Sequence, residues 1–121
     1  MPTVLIADDS LFQRLMLSKF LKSAGLDLLE ATNGREALDL LRSARPDVAL
    51  LDLNMPELSG QDVLEAARAE GLGTAIVVIT ADIQETTRAR CFAAGARKLL
   101  PKPPKDSDVL EALREILPDR S

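Results

Sequence analysis

Short apolar runs alternate with amphipathic stretches from one end of this chain to the other. Residues 4–7 (Val-Leu-Ile-Ala) form an apolar run that ends in two acids, Asp8 and Asp9. The next segment repeats at helical spacing, with Phe12, Met16 and Phe20 four apart and Leu17 and Leu21 beside them. Ser10 and Gln13 have the spacing of a capping box at its start, and Gly25 marks its end. Residues 26–32 read as a half-polar second strand. Asn33 and Glu36 open a second helix that carries Ala37, Leu38, Leu40 and Leu41 and stops near Pro46. Residues 48–51 are a nearly all-apolar strand leading to Asp52. Ser59 caps a third helix with Val63, Leu64 and Ala67, closed by Gly71 and Gly73. Residues 75–79 are the purest strand pattern in the chain and lead to Thr80. A fourth helix is expected from near Asp82 to Gly95, a fifth strand over 97–100, and a last helix from Asp106 or Ser107 carrying Val109, Leu113, Ile116 and Leu117.

The pattern is (βα)5, which gives an α/β fold: a doubly wound parallel sheet with helices on both faces. Strands covered on both faces read as continuous apolar runs, as the middle strands do here. The flavodoxin-like order 2-1-3-4-5 suits five such units, with right-handed crossovers. It places strand five at an edge, where Pro101 removes no needed ladder donor.

A chain of 121 residues is the size of one domain, so residues 1–121 are expected to form a single unit. The net charge of −4 argues against binding nucleic acid or an anionic membrane, since both reward a basic face. No apolar run is long enough to span a bilayer and no charged leader precedes the first strand, so a cytoplasmic location is expected. The polar end at 118–121 suits a natural terminus and a stand-alone protein. The single cysteine, Cys91, reads as a packing residue on a helix face. There is no histidine. That excludes a Ser-His-Asp triad, a Cys-His pair and histidine-ligated zinc, and it leaves Asp, Glu, Lys, Ser, Thr and backbone to do any chemistry.

In this fold ligands bind beyond the carboxyl ends of the strands, at the switch point. The residues there are Asp8, Asp9, Asp52, Thr80 and Lys102. Three carboxylates in one cleft repel one another, and a hard divalent cation with oxygen ligands relieves that repulsion; Mg²⁺ is the usual ion where phosphate chemistry follows. A carboxylate can attack phosphorus and form an acyl phosphate. Asp52, at the end of the central strand, is the best nucleophile candidate. Lys102, fixed between Pro101 and Pro103, would pair with it at rest and with the phosphoryl group afterwards.

With these residues in place the chain resembles the receiver domains of two-component response regulators, the CheY-like family. The matching motifs are Asp8-Asp9, Asp52-Leu53-Asn54-Met55-Pro56 with Gly60, Thr80-Ala81, Ala94-Gly95-Ala96 and Lys102-Pro103. The resemblance implies that Asp52 is the phosphoacceptor and a metal ligand, that Asp9 touches Mg²⁺ directly and Asp8 through water, and that Asn54 offers its backbone carbonyl. It implies Thr80 as the switch hydroxyl, Lys102 as the phosphate-binding lysine and a cis Lys102–Pro103 bond. It also implies a signalling protein rather than a classical enzyme, although one that catalyses its own phosphorylation and dephosphorylation. Its partners would be a sensor histidine kinase and a downstream target or phosphatase, met through the helix 4–strand 5–helix 5 face, where Arg88, Arg97, Lys98 and Lys105 cluster. Two departures stand out: Leu99 takes the place of the family's switch aromatic, and Pro104 that of a common Phe. Asn54 and Asp82 resemble residues that position water and shorten the life of the phosphoryl group. Other readings weighed against this one are an aspartyl-nucleophile phosphohydrolase, for which Asn54 would have to be a second acid, a flavodoxin-like or dinucleotide binder, whose first turn would not carry two acids, and a receiver-fold interaction domain that is never phosphorylated.

Overall fold

The computed structural model describes residues 2–117. The polar end read above as a terminus, 118–121, lies outside the described residues. Ten elements alternate: β1 (Thr3–Ala7), α1 (Leu11–Ser23), β2 (Asp27–Ala31), α2 (Gly34–Ser43), β3 (Val48–Asp52), α3 (Gly60–Ala69), β4 (Ala75–Thr80), α4 (Glu85–Ala93), β5 (Lys98–Pro101) and α5 (Asp106–Ile116). The sheet order is β2-β1-β3-β4-β5 with every pairing parallel, as the alternation predicts. Pro101 does close an edge strand.

The period-2 alternation of the strands sorts the apolar side chains into two cores. Val4, Ile6, Val48, Leu50, Val77 and Ile79 pack on one face, under Leu17 and Leu21 of α1 and Val109 and Leu113 of α5. Leu5, Ala7, Ala49, Leu51, Ile76 and Val78 pack on the other, under Leu38 and Leu41 of α2, Val63 and Leu64 of α3 and Cys91 of α4. Cys91 is thus a core residue, and burial pushes its thiol up from the ordinary range.

The structure corrects the reading of α1. Phe12 and Met16 are exposed, as are Leu11 and Leu15, at 56–67%. The buried stripe is Leu17, Ser18 and Leu21. Of the apolar residues read there, Leu17 and Leu21 face the sheet with Phe20 half-buried beside them, and the crossing of α1 leaves Phe12 and Met16 outside. The capping box is half formed: Ser10 Oγ accepts from the Gln13 N–H, while the Ser10 N–H donates to Asp8 rather than to Gln13. α4 starts at Glu85, after an N-cap at Gln84, rather than near Asp82.

One glycine decides how close the β3–α3 loop can come to the acid at the end of β3. A Cβ on Gly60 would stand 2.4 Å from the Asp52 carbonyl oxygen and 2.6 Å from Leu53 Cα. Both are backbone atoms, so the chain itself would have to move. Gly60→Ala is therefore expected to lose about 1–3 kcal/mol, measured by urea denaturation; a change near zero would contradict the close approach.

Candidate functional site

The same alternation that builds the cores assembles the site. Asp8 follows Ala7, and Ala7 is level with Leu51, the residue before Asp52. Asp8 and Asp52 are then at one height on adjacent strands, both on the α1/α5 side of the sheet, a single interstrand spacing of about 4.8 Å apart. Lys102 has the parity of Leu100 and comes up on the same side, with its N–H donating to the Thr80 carbonyl at 3.0 Å. Thr80 has the parity of Val78 and belongs to the opposite face, where Leu99 also packs. Leu99, half-buried and level with Val78, stands on the same face as Thr80 in the place of the family's aromatic.

Asp8 and Asp52 are almost wholly buried and Asp9 is exposed. One carboxylate oxygen from each lies within 4.8 Å of the other two. Lys102 Nζ stands 3.0 Å from Asp52 Oδ2 and 3.4 Å from Asp8 Oδ2. Asp52 Oδ1 accepts from the Asn54 N–H at 3.1 Å, and Asp8 Oδ1 from the Ser10 N–H at 2.8 Å. Burial pushes the Asp52 carboxyl up from its ordinary range. The Lys102 and Asn54 bonds pull it back in part, while the Asp8 charge pushes it further up. Burial works against the Lys102 ammonium too, but its bonds and charge attraction to Asp52 and Asp8 outweigh it and hold Lys102 above its usual value. One ammonium therefore faces two buried carboxylates and a third nearby, a site with an excess of negative charge.

Such a set suits a small hard cation. Oxygens on opposite sides of a hexacoordinate magnesium stand about 4.2 Å apart, close to the spread of these three acids. The donors are all oxygens, and the pair already held by Lys102 shows that the pocket accepts positive charge. Asn54 is exposed, on the loop where its carbonyl was expected to serve.

Thr80 is buried, and its Oγ1 accepts from the Asp82 N–H at 3.0 Å. The Asp82 carboxylate is bonded locally. Its Oδ1 accepts from the Gln84 N–H and its Oδ2 from the Thr87 hydroxyl. One oxygen thus holds the N-cap residue and the other the first turn of α4, which begins at Glu85. The Lys102–Pro103 bond is cis, as the resemblance implied.

The model of the response-regulator receiver domain matches residues 4–114. The chain belongs to that family. It is 36% identical over 114 residues to a chemotaxis protein CheY from Thermotoga maritima, covering 93% of this receiver and 95% of that protein. It is 38% identical to response regulator MprA of Mycolicibacterium vanbaalenii over 94% of its own length, but spans only 49% of that relative. Among solved structures, CheY4 of Vibrio cholerae superposes with a TM-score of 0.89 at 34% identity, over 97% of this receiver and 99% of that chain. The receiver domain of Francisella response regulator 1452 gives a TM-score of 0.91 at 25% identity, over 96% of both chains. The receiver is thus a signalling module of two-component systems and not one of the classical enzymes. Among its described residues no helix is long and apolar enough to cross a membrane.

One residue of the receiver's site escaped the sequence reading. Arg14 Nη1 donates to the Asp8 carbonyl at 2.8 Å. A signal was present: Arg14 falls on the buried stripe of α1, three, four and seven positions before Leu17, Ser18 and Leu21.

Proposed function

We propose that this receiver accepts a phosphoryl group onto Asp52 from a sensor histidine kinase, with Mg²⁺ held by Asp8, Asp9, Asp52 and the Asn54 carbonyl, and signals to a protein partner. The observation that supports it most is the placement of two buried carboxylates under one lysine, with a third acid at the rim. When bound, the cation supplies positive charge to the oxygens of the incoming phosphoryl group. Asp52 attacks phosphorus with one carboxylate oxygen, and the phosphorus–nitrogen bond of the donor breaks as the acyl phosphate forms. Lys102 Nζ, held 3.0 Å from Asp52, is within reach of the new phosphoryl oxygens and balances their charge. The Thr80 hydroxyl turns from the Asp82 N–H and donates to the phosphoryl group. That breaks the 3.0 Å bond to the loop ahead of α4, and through Asp82 and Thr87 the change reaches α4 itself. With Leu99 in place of an aromatic on the face that Thr80 shares, the switch runs through the hydroxyl and α4 without an aromatic rotation.

The phosphodonor histidine lies outside these 121 residues, which contain none. The exposed strip of Leu11, Phe12, Leu15 and Met16 begins two residues past Asp9 and suits contact with such a donor. The receiver acts in the cytoplasm, and its output face is α4–β5–α5. There Ile83 and Phe92 are exposed and Arg88 stacks on Phe92 at 5.3 Å. Lys98 is paired with Glu115, while Arg88, Arg97 and Lys105 are exposed and offer their charge to a partner. Neither Asn54 nor Asp82 is a second acid facing Asp52, which favours a phosphoacceptor over a phosphohydrolase.

The reading is tested by labelling with acetyl phosphate and Mg²⁺ and mapping the adduct. The parent chain is expected to carry one phosphoryl group on the peptide containing Asp52, and Asp52→Asn none. Equal labelling of both would remove the assignment.

A further inference from the structure

We infer that Arg14 is the positioning residue of the acid cluster: its guanidinium fixes the β1–α1 turn so that Asp8 and Asp9 present their carboxylates together toward Asp52. The inference rests on the Mg²⁺ site proposed above and adds a residue outside its ligand set. The Arg14 side chain is only 11% exposed. Arginine is rarely so covered unless its charge is engaged. Its ionic partner, Glu30 Oε1 at 3.4 Å, is 42% exposed, and pairs of that kind contribute little on their own. The better-formed contact is the 2.8 Å bond from Nη1 to the Asp8 carbonyl.

That carbonyl lies one residue beyond the last rung of both ladders on β1, where Ala7 meets Ala31 and Leu51. The sheet offers it no donor there, and Arg14 reaches back six positions to supply one. Asp8 is then held at three points: its N–H donates to Ala31 O at 3.1 Å, its Oδ1 accepts from Ser10 N–H, and its carbonyl accepts from Arg14. The guanidinium links the turn to α1, on which it is carried, and to β2, through Glu30. A planar fork can serve two directions at once, whereas a lysine ammonium is a point charge on a flexible stem. Groups behind metal ligands commonly set ligand orientation, and their loss weakens metal binding roughly 10–100-fold.

The test is calorimetric titration of Mg²⁺ into the full chain and its Arg14→Met, Arg14→Lys and Glu30→Gln variants, with the acetyl phosphate labelling rate measured beside it. If the parent binds no Mg²⁺, the functional reading itself has failed. Given parent binding, Arg14→Met is expected to raise the Mg²⁺ Kd by about tenfold or more. Labelling at saturating Mg²⁺ should return to the parent rate, because Asp52, Thr80 and Lys102 are untouched; a merely structural role would lower that rate at every concentration. Glu30→Gln should stay within about twofold of the parent, since it removes the rim partner and leaves the bond to Asp8. A Kd for Arg14→Met within about twofold of the parent would overturn the inference. So would equal weakening by Glu30→Gln, which would assign the effect to the α1–β2 ion pair. Should Arg14→Met not fold, Arg14→Lys takes its place under the same limit, because it keeps the charge and loses the fork.

Discussion

Lys102→Met is expected to cost about 3–5 kcal/mol of folding stability in chelator and to suppress phosphorylation by acetyl phosphate. Among the described residues Lys102 Nζ is the only cation within bonding distance of the Asp52 and Asp8 carboxylates, at 3.0 and 3.4 Å. The Asp52 and Asp8 side chains are 2% and 6% exposed, so solvent cannot take over its role. Methionine keeps the unbranched stem and most of the volume, so the loss reports charge rather than packing. Breaking a buried pair by deleting one partner leaves the other uncompensated, and here two are left. Mg²⁺ should return part of the stability by binding the folded state alone. The measurement is urea denaturation of parent and variant, in chelator and in Mg²⁺. A loss below about 1 kcal/mol, the range of exposed pairs, would show that the site is far wetter than its burial implies.

Asp52→Asn is expected to do the opposite in chelator: the variant should melt higher than the parent although it can no longer be phosphorylated. The cause is the upward shift of the Asp52 carboxyl, which burial dominates. A carboxyl whose folded pKa lies above its unfolded one binds its proton more tightly in the folded state. The fold is then most stable where Asp52 is protonated, and it loses that stability as pH rises through the raised value. At neutral pH the ionised side chain carries the cost, and asparagine, a neutral side chain of the same shape, does not. It leaves Lys102 facing Asp8 alone, one charge against one. A gain of about 1 kcal/mol would raise the Tm of a domain this size by roughly 4 °C. In saturating Mg²⁺ the gap should narrow or reverse, since the parent keeps all its acids for the cation. The check is a pair of thermal scans with and without Mg²⁺. A lower Tm for Asp52→Asn in chelator would mean that the bond to Lys102 outweighs burial and that the site holds no excess negative charge. Active sites are often stabilised by removing the groups that do the work, and this receiver should show that trade openly.

Much of this was legible in the chain. The middle strands are buried on both faces and so read as unbroken apolar runs, which fixed the sheet order through the (βα)5 alternation. Ser10, Asn33 and Ser59 each accept from the N–H three residues on, as their positions at helix starts predict. The acids and the lysine were found because strand ends converge whatever the details of packing. What resisted reading depends on how elements cross. Phe12 and Met16 look like a core stripe, yet only the docking angle of α1 decides that Leu17 and Leu21 face the sheet instead. The local bonds of Asp82 were not read either: a short polar side chain after a strand bonds to the backbone and side chains that follow it, here to the Gln84 N–H and the Thr87 hydroxyl. Arg14 sat in plain view as a charge on the inner stripe of α1, and its partner, a backbone carbonyl, leaves no mark in a sequence.

The account stands most directly on the products of one incubation. Intact-mass analysis of the parent chain after exposure to acetyl phosphate, once with Mg²⁺ and once with chelator, should give a single phosphoryl adduct located at Asp52 in the first case and none in the second. An adduct that forms equally well in chelator, or that maps to another residue, would contradict it.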